Sequence, residues 1–243
     1  MPGETPDWGA LSAQDTVFPV TDLGELAARL GAITTHDRRG DVIWWDNFEC
    51  GIEKWVQSTG GTGASIALST ARARNGRYSC LLTGGSNALL RAIILHAAPF
   101  LTLSRFGLEL SFHLPGTIDN IIFQIQVFDG TNRQQAEIRW TDATNQLAYF
   151  DSAGAYTDFG SAVDLSPINR VFHTAKLVVD PTLQAYHRFI LDDTEHNLSA
   201  NAVRRVADGA APRLEIGAFL FSRAGQNDQA YLDDVIITQN EPA

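Results

Sequence analysis

The sequence contains only two cysteines, Cys50 and Cys80, in 243 residues. Their spacing matches no zinc-binding pattern, which would need two closely spaced pairs of ligands. A disulfide is possible, but a chain of this length can bury a core without a covalent cross-link. We therefore predict two reduced, partly buried thiols.

Basic side chains are also scarce, because 18 Lys and Arg stand against 28 Asp and Glu, a formal net charge of -10. The one basic cluster, Arg72, Arg74 and Arg77, lies in a single loop-like stretch. An acidic surface repels phosphate backbones, so we expect no nucleic-acid partner. No apolar run approaches the roughly 18 residues of a membrane span, and the N-terminus lacks the features of a secretory signal. We therefore expect no membrane partner, and a protein that acts in the cytoplasm or leaves it by lysis.

Sequence motifs that carry catalysis are missing. The chain has no GxSxG, no HExxH and no EF-hand loop, and its six histidines follow no pattern with Ser or Cys. Glu109 and Glu137 lie on predicted outward faces of strands that we expect to be neighbours, so a hydrolase pair is an alternative. The alternating carboxylates typical of laminarinase-like sandwich hydrolases are absent, however. We predict no catalytic residues and no enzymatic activity.

The N-terminal part, residues 1–40, differs in composition from the rest. Residues 1–20 hold three prolines and two glycines with little periodicity, which is typical of an extended arm. "TDLGELAARLG", residues 21–31, predicts one short helix that ends at Gly31. We predict that this segment mediates attachment or oligomerisation, although it could instead fold back over its own domain. The candidate attachment residues are Trp8, Phe18, Leu23, Leu26 and Leu30.

From residue 41 to residue 243 the pattern is that of β-strands. "LELSFHL", "IIFQIQVF" and "QAEIRW" alternate apolar and polar residues, which predicts half-buried strands. Turn-forming residues separate about eleven such segments. A series of short strands with a single helix is typical of an all-β antiparallel sandwich.

The polar positions of these strands form a candidate sugar-binding face. Amide, carboxylate and guanidinium groups hydrogen-bond sugar hydroxyls, and an aromatic ring can stack on a sugar. Tyr149, Phe150, Tyr156 and Phe159 are candidate rings, although such a face can also exist only because it meets water. The candidate glycan-binding residues are Glu109, Gln124, Gln126, Glu137, Arg139 and Tyr149.

Three motifs follow one another along the predicted sandwich region: "WWDNFECGIEKW" (44–55), "ARARNGRYSCLLTGG" (71–85) and "AYLDDVIIT" (230–238). Together they resemble the carbohydrate-binding-module type of jelly roll. The resemblance implies a jelly-roll β-sandwich, and a structural Ca²⁺ held by Glu49 with Asp233 or Asp234. The alternative is that these carboxylates only accept hydrogen bonds from turn backbone.

A second resemblance is to structural proteins of tailed phages. It rests on "FPVTDLGELAARLGAITTHDRRGDVIWWDNFECGIEKW" (18–55) and "LDDVIITQNEP" (232–242). It implies a virion structural or decoration protein, assembled in the host cytoplasm, with capsid or tail proteins and further copies of itself as partners. An extended arm can add to the sheet edge of another chain. This is our leading hypothesis, and the alternative is a carbohydrate-binding module that recognises a glycan on its polar face.

Overall fold

The computed structural model describes residues 37, 39–87, 90–99, 102–165 and 171–242. This part of the chain folds into two antiparallel sheets of eight strands each, with one short 3-10 helix at Asp142–Thr144. No helix within these ranges is long and apolar enough to cross a membrane. The helix predicted at 21–31 and the attachment residues Trp8, Phe18, Leu23, Leu26 and Leu30 lie outside the described residues.

Sheet A contains seven strands in a continuous path and an eighth, β1, that pairs with β16. In spatial order its strands are β13 (Thr194–Asn197), β12 (Ala185–Leu191), β11 (His173–Asp180), β6 (Phe106–His113), β16 (Gln229–Gln239), β4 (Ser79–Thr83) and β3 (Ser65–Ser69), with β1 at Asp41–Asp46. The first strand therefore lies beside the last, as expected for a jelly roll.

Sheet B has the same construction, with β14 pairing to β8 outside the main path. In spatial order its strands are β10 (Tyr156–Phe159), β9 (Gln146–Phe150), β8 (Asn132–Thr141), β7 (Asn120–Phe128), β15 (Arg213–Phe221), β5 (Arg91–Ala98) and β2 (Val56–Gly60), with β14 at Arg204–Ala207. Consecutive strands from β4 to β7 alternate between the sheets, so connections cross the sandwich repeatedly. The predicted antiparallel jelly-roll sandwich is confirmed.

The core lies between the two sheets and is built from the inward side of each alternating strand. Phe112 of β6 and Phe123 of β7 meet there with ring centroids 5.1 Å apart. Every second residue of β6 and of β7 belongs to the core, so the predicted period of two is confirmed. The outward residues of β6 are buried as well, so this strand is not half-buried as predicted. Burial of these apolar side chains is the main contribution that holds one sheet against the other.

The tryptophan-rich stretch opens the fold. Trp45 is 41% exposed, whereas Trp44 packs against the core and stacks on His96. Trp55 is buried, and its Nε1 donates a hydrogen bond to Oδ2 of Asp46 at 2.7 Å. The two adjacent tryptophans therefore form no shared platform.

One predicted neighbourhood is wrong. Glu109 belongs to β6 in sheet A, whereas Glu137 belongs to β8 in sheet B. Both point away from the core, so they lie on opposite outer faces of the sandwich. The chain crosses from one sheet to the other between β6 and β7, and the candidate hydrolase pair is therefore not formed.

Candidate functional site

The outer face of sheet B carries a connected group of polar side chains from β7, β8 and β10. We call this group the polar face: Gln124, Gln126, Gln135, Glu137, Arg139 and Tyr156. Strand register places Gln124 beside Glu137 and Gln126 beside Gln135. Because their inward neighbours along β7 and β8 fill the core, these side chains must point to the opposite side of the sheet.

Glu137 is the centre of the polar face. Its Oε1 accepts hydrogen bonds from Nε2 of Gln124 and Nε2 of Gln135, each at 2.5 Å, and its Oε2 accepts one from the Tyr156 hydroxyl. Nε2 of Gln126 in turn donates to Oε1 of Gln124 at 2.8 Å. Glu137 is only 7% exposed, so neutral donors rather than water satisfy its carboxylate.

An aromatic pair borders this network. The Arg139 guanidinium lies over the Tyr156 ring, 4.0 Å from its centroid, and the Phe150 ring lies 5.1 Å from the same ring. Burial, together with the negative charge of Glu137, raises the pKa of the Tyr156 phenol. Tyr156 therefore keeps its proton at neutral pH and acts as a hydrogen-bond donor.

Several polar atoms on the outer face of sheet B are shielded from solvent and have no hydrogen-bond partner. They come from β5, β7 and β8, and they are Arg91 Nε, Asn120 Oδ1, Arg133 Nε, Gln135 Oε1 and Arg139 Nε. A shielded polar group without a partner costs about 1 to 3 kcal/mol. No water-sized atom reaches them, so a ligand on this face would contact the more exposed atoms of the same side chains.

Four of the predicted glycan-binding residues, Gln124, Gln126, Glu137 and Arg139, come together in the polar face. The other two do not. Tyr149 lies opposite the core residue Ile138, so it faces inward, and its ring packs edge-on against Tyr186 at 5.6 Å. Phe150 and Tyr156 supply the rings on the outer side instead.

Glu109 lies in a different environment, on the outer face of sheet A. It accepts a hydrogen bond at 3.1 Å from the backbone amide of Asp37. The neighbouring Lys176 is fully buried and binds Asp37 Oδ2 at 3.1 Å and Glu241 Oε1 at 2.8 Å. Glu109 is therefore part of a buried polar cluster that fastens residue 37 to the sandwich.

Sequence reasoning left Gln135 out of the site. It sits two positions before Glu137 on the same strand, so the alternation that selected Glu137 also selects Gln135. Arg204 could not be predicted from alternation. Its guanidinium lies 5.6 Å from the Phe150 ring. β14 has only four residues, and nothing in its sequence shows that it pairs with β8.

The carboxylates predicted to bind Ca²⁺ meet the loop that contains Arg74 and Asn75. Oδ2 of Asp233 accepts the backbone amides of Arg74 at 2.7 Å and Asn75 at 3.3 Å. Oδ2 of Asp234 accepts Arg74 Nη1 at 3.3 Å and Asn75 Nδ2 at 2.5 Å. Glu49 Oε1 accepts two backbone amides farther along the same loop.

This acidic pair is strongly shielded, since Asp233 and Asp234 are no more than 1% exposed. Burial, reinforced by the charge of Asp234, raises the pKa of Asp233 to about 7. Oδ1 of Asp234 has no hydrogen-bond partner, which would suit a cation, but the Arg74 guanidinium already lies against the other oxygen. Among the described residues, no three His, Cys, Asp or Glu side chains form a group that could hold a metal ion. The Ca²⁺ site therefore stays a prediction.

Both cysteines are free thiols. Cys80 is fully buried, as expected, whereas Cys50 is exposed rather than partly buried. Burial raises the pKa of the Cys80 thiol, and the nearby charge of Asp46 acts in the same direction. Cys80 is therefore a core side chain and not a reactive group.

No protein-family model matches the chain, and no curated protein matches it either. Solved structures do match. "Cellulose induced protein, Cip1" is 18% identical with a TM-score of 0.55, and the match covers 80% of this chain and 96% of that one. An endo-β-1,4-glucuronan lyase from the fungus Trichoderma reesei is 9% identical with a TM-score of 0.57, covering 82% and 96% of the two chains.

A third match is the CBM22-1 xylan-binding domain of Xyn10C from Paenibacillus barcinonensis. It is 12% identical, and the match covers 85% of this chain and 99% of that domain, but its TM-score of 0.38 supports no argument. At identities below 20%, the first two matches show a common fold and nothing about activity. The fold of this chain is therefore shared with the Cip1 protein and the glucuronan lyase.

Proposed function

We propose that this chain is a non-enzymatic glycan-binding protein whose site is the polar face on sheet B. The observation that carries the proposal is the hydrogen-bonded network around Glu137, bordered by the half-buried side chains of Gln126, Gln135, Arg139 and Tyr156. Sugar hydroxyl groups can hydrogen-bond the solvent-facing amide, guanidinium and phenol groups of these side chains. A glycan offers many such groups along one chain, which suits an open sheet face.

The rings beside the network support the same proposal. Phe150 and Tyr156 lie next to each other at the edge formed by β9 and β10. Aromatic rings that border a few well-placed polar groups are a recurring arrangement in small-molecule sites. One protein with the same fold is named as a lyase that acts on glucuronan, a polysaccharide, and this agrees with a glycan ligand here.

The state of Glu137 favours binding over hydrolysis. A glycosidase needs two carboxyl groups about 5 to 9.5 Å apart, with one free to attack or to activate water. Both oxygens of Glu137 are occupied by three donors, and its candidate partner Glu109 lies on the other sheet. The raised pKa of Tyr156 keeps its phenol protonated at neutral pH, so this side chain is not available as a general base.

A glycan array with purified protein tests the proposal. We expect binding to at least one polysaccharide, and a loss of about tenfold or more in Glu137→Gln, which removes the charge that orients three donors. Glu53→Gln is the matched control, because Glu53 is exposed and lies away from sheet B's polar face. Binding to no glycan, or equal binding by Glu137→Gln and the wild type, would count against the proposal.

A virion structural role is our second candidate, and one structural observation is compatible with attachment through the N-terminal segment. Asp37 and Arg39 bind Lys176 on the outer face of sheet A, so the chain joins the sandwich on the side opposite the polar face. Attachment through residues 1–36 would leave the polar face free to bind a glycan. The predicted partners are capsid or tail proteins and further copies of this chain.

Truncation tests this second candidate. Deleting residues 1–36 rather than 1–40 keeps Asp37 and Arg39, which the sandwich uses. We expect the truncated protein to stay folded but to lose oligomerisation or co-purification with particles. Undiminished assembly of a folded truncated protein would contradict the attachment role.

A further inference from the structure

The outer face of sheet B carries an unusual share of the chain's few cations. Register and alternation place one arginine on β5, two on β8, one on β14 and one on β15 on this side of the sheet: Arg91, Arg133, Arg139, Arg204 and Arg213. The whole chain has a formal net charge of -10. The same register places three carboxylates on this side, Glu137, Glu215 and Asp158, so the strands of this face carry an excess of positive charge on an acidic chain.

Most of these guanidinium groups have no acidic partner in the part of the chain that the structure describes. Arg213 pairs with Glu215 at 2.7 Å. Within the described ranges, no carboxylate lies within 4.0 Å of the other four, Arg91, Arg133, Arg139 and Arg204. Glu137, the carboxylate nearest to Arg139 in sequence on this face, is instead satisfied by Tyr156 and two glutamine amides.

Three of the unpaired arginines also have a shielded Nε atom that lacks any acceptor: Arg91, Arg133 and Arg139. The Nη atoms of the same side chains are not shielded in this way, and a guanidinium binds an anionic oxygen more strongly than a neutral one. The guanidinium group presents a planar fork that matches carboxylate and sulfate oxygens. These atoms therefore favour an anionic ligand over a neutral one.

Ring contacts hold several of the guanidinium groups in place. Arg139 lies 4.0 Å from the Tyr156 ring centroid, Arg213 lies 3.8 Å from that of Phe128, and Arg204 lies 5.6 Å from that of Phe150. Stacking on an aromatic face fixes the plane of a guanidinium and leaves its edge free for hydrogen bonds. Less conformational entropy is then lost when an anion binds.

The spacing of the cations indicates a polymer. Arg133 and Arg139 are six residues apart on β8, which is about 20 Å along an extended strand. Arg91 lies three strands away from β8, or about 14 Å across the sheet. A single small anion cannot contact cations at these separations, whereas a chain with repeated negative groups can.

From these contacts we infer that the ligand of the polar face is a polyanionic glycan, with carboxylate or sulfate groups repeated along its chain. This inference rests on the proposed function and narrows its ligand class. The guanidinium groups bind the anionic groups, and the network around Glu137 binds the hydroxyl groups between them. The overall acidity of the chain opposes association with nucleic acid, whose phosphates are more densely charged.

Affinity electrophoresis of the full chain tests the inference with named probes. Polygalacturonate supplies carboxylates, dextran sulfate supplies sulfates, dextran and xylan are neutral, and single-stranded DNA is a polyanion without a glycan backbone. We expect retardation by polygalacturonate or dextran sulfate that exceeds retardation by the neutral glycans at least tenfold in apparent affinity. Binding should also weaken as salt concentration rises.

Substitutions locate the contacts. Arg133→Gln and Arg139→Gln should each weaken binding to the anionic glycan about tenfold. Arg77→Gln removes the same charge from the loop beside sheet A, where Arg77 lies 5.4 Å from the Tyr78 ring, and should change binding less than twofold. Arg139→Lys keeps the charge but loses the fork, so we expect an intermediate affinity. Melting curves of all variants verify that each is folded.

The outcomes separate this inference from the proposed function. Preference for polygalacturonate alone, or for dextran sulfate alone, supports the inference and names the anionic group. Equal or stronger binding to dextran or xylan overturns the inference of a polyanionic ligand, but it is consistent with the proposed glycan-binding function. Binding to none of the glycans overturns both. DNA binding of equal strength, or an equal loss in Arg77→Gln, overturns the inference by showing general charge attraction.

Discussion

The hydroxyl of Tyr156 donates a hydrogen bond to Oε2 of Glu137, although the two residues lie on strands that are separated by β9. The contact joins the edge strand β10 to the centre of the polar face. It also places the Tyr156 ring under the Arg139 guanidinium, at 4.0 Å. A single phenol thus positions both a carboxylate and a cation of the proposed site.

Removing this hydroxyl has a specific expected effect. Tyr156→Phe should weaken glycan binding about tenfold, because Glu137 Oε2 loses its donor while the ring remains in place. Tyr149→Phe is the matched control, since Tyr149 lies on the inward side of the adjacent strand. Isothermal titration calorimetry with the array-selected glycan measures both. A larger loss in Tyr149→Phe would show that the original sequence prediction for Tyr149 was correct and that the polar face is misassigned.

The raised pKa of Asp233 predicts a pH dependence of stability. In the folded protein this carboxyl titrates at about 7 rather than 3.8, because it is buried beside Asp234. Between these values the folded state holds a proton that the unfolded state releases. The stabilising contribution is therefore fully present below about pH 4 and is lost as the pH rises to about 7, at up to about 1.4 kcal/mol per pH unit.

Urea unfolding of the wild type and Asp233→Asn from pH 4 to pH 8 measures this slope. The informative quantity is the difference between the two slopes, because burial lowers the pKa of four histidines, which contribute in the opposite direction in both proteins: His96, His113, His187 and His196. We expect the variant to lose less stability than the wild type over this range. Parallel curves would show that Asp233 is ionised in the folded protein throughout.

The predicted Ca²⁺ site is tested by chelation. A metal that binds only the folded state stabilises it, so removing Ca²⁺ should lower the melting temperature by several degrees. Asp234→Asn should abolish the difference, since it removes one of the predicted ligands. Superimposable melting curves in Ca²⁺ and in chelator would contradict the predicted Ca²⁺ site. The cation that faces Asp234 would then be the Arg74 guanidinium.

Accessibility of the two thiols gives an independent check on the fold. Cys50 is exposed, whereas Cys80 is buried in the core and has a raised pKa. A thiol reagent should therefore modify one cysteine in the native protein and two after denaturation. Mass spectrometry counts the adducts, and Cys50→Ser should show none under native conditions. Rapid native modification of Cys80 would mean that the core is open at β4.

Alternation along the strands allowed the fold and much of the polar face to be predicted. Gln124, Gln126 and Glu137 were placed correctly because a period of two assigns each residue to an inward or outward side. The same period cannot say to which sheet a strand belongs. Glu109 was therefore grouped with Glu137, although the chain changes sheets between them.

Interruptions of the inward–outward alternation account for the remaining differences between the predicted and the observed faces. Asn145 adopts a left-handed conformation with φ of 53° just before β9, so the inward side of β9 does not follow from β8. Tyr149 and Phe150 were both candidate rings, although adjacent residues of a strand face opposite sides, and only Phe150 lies on the outer side. In β16, Asp234 has φ of 46° within a register shift, and both Asp233 and Asp234 thereby reach the Arg74 loop. Alternation alone would place them on opposite sides.

The buried ion cluster on sheet A supports a final prediction. Glu241 binds Lys176 Nζ at 2.8 Å and also binds Arg188, and all three side chains are at most 3% exposed. Glu241→Gln should destabilise the protein by about 3 kcal/mol, the lower end of the usual cost of breaking a buried pair, because Asp37 remains as the only carboxylate near the two buried cations among the described residues. The effect arises because the charges of Lys176 and Arg188 stay buried after the neutralising charge of Glu241 is removed, and not because the ion pairs themselves are strong.

Glu195→Gln is the control for Glu241→Gln, since Glu195 pairs with Arg39 at 2.6 Å but both side chains are at least 40% exposed. An exposed pair contributes at most about 1 kcal/mol. The midpoint of urea unfolding should therefore fall strongly in Glu241→Gln and little in Glu195→Gln, with similar slopes in both. Equal shifts would mean that water reaches Glu241, and that the segment after β16 does not cover the outer face of sheet A near Asp37.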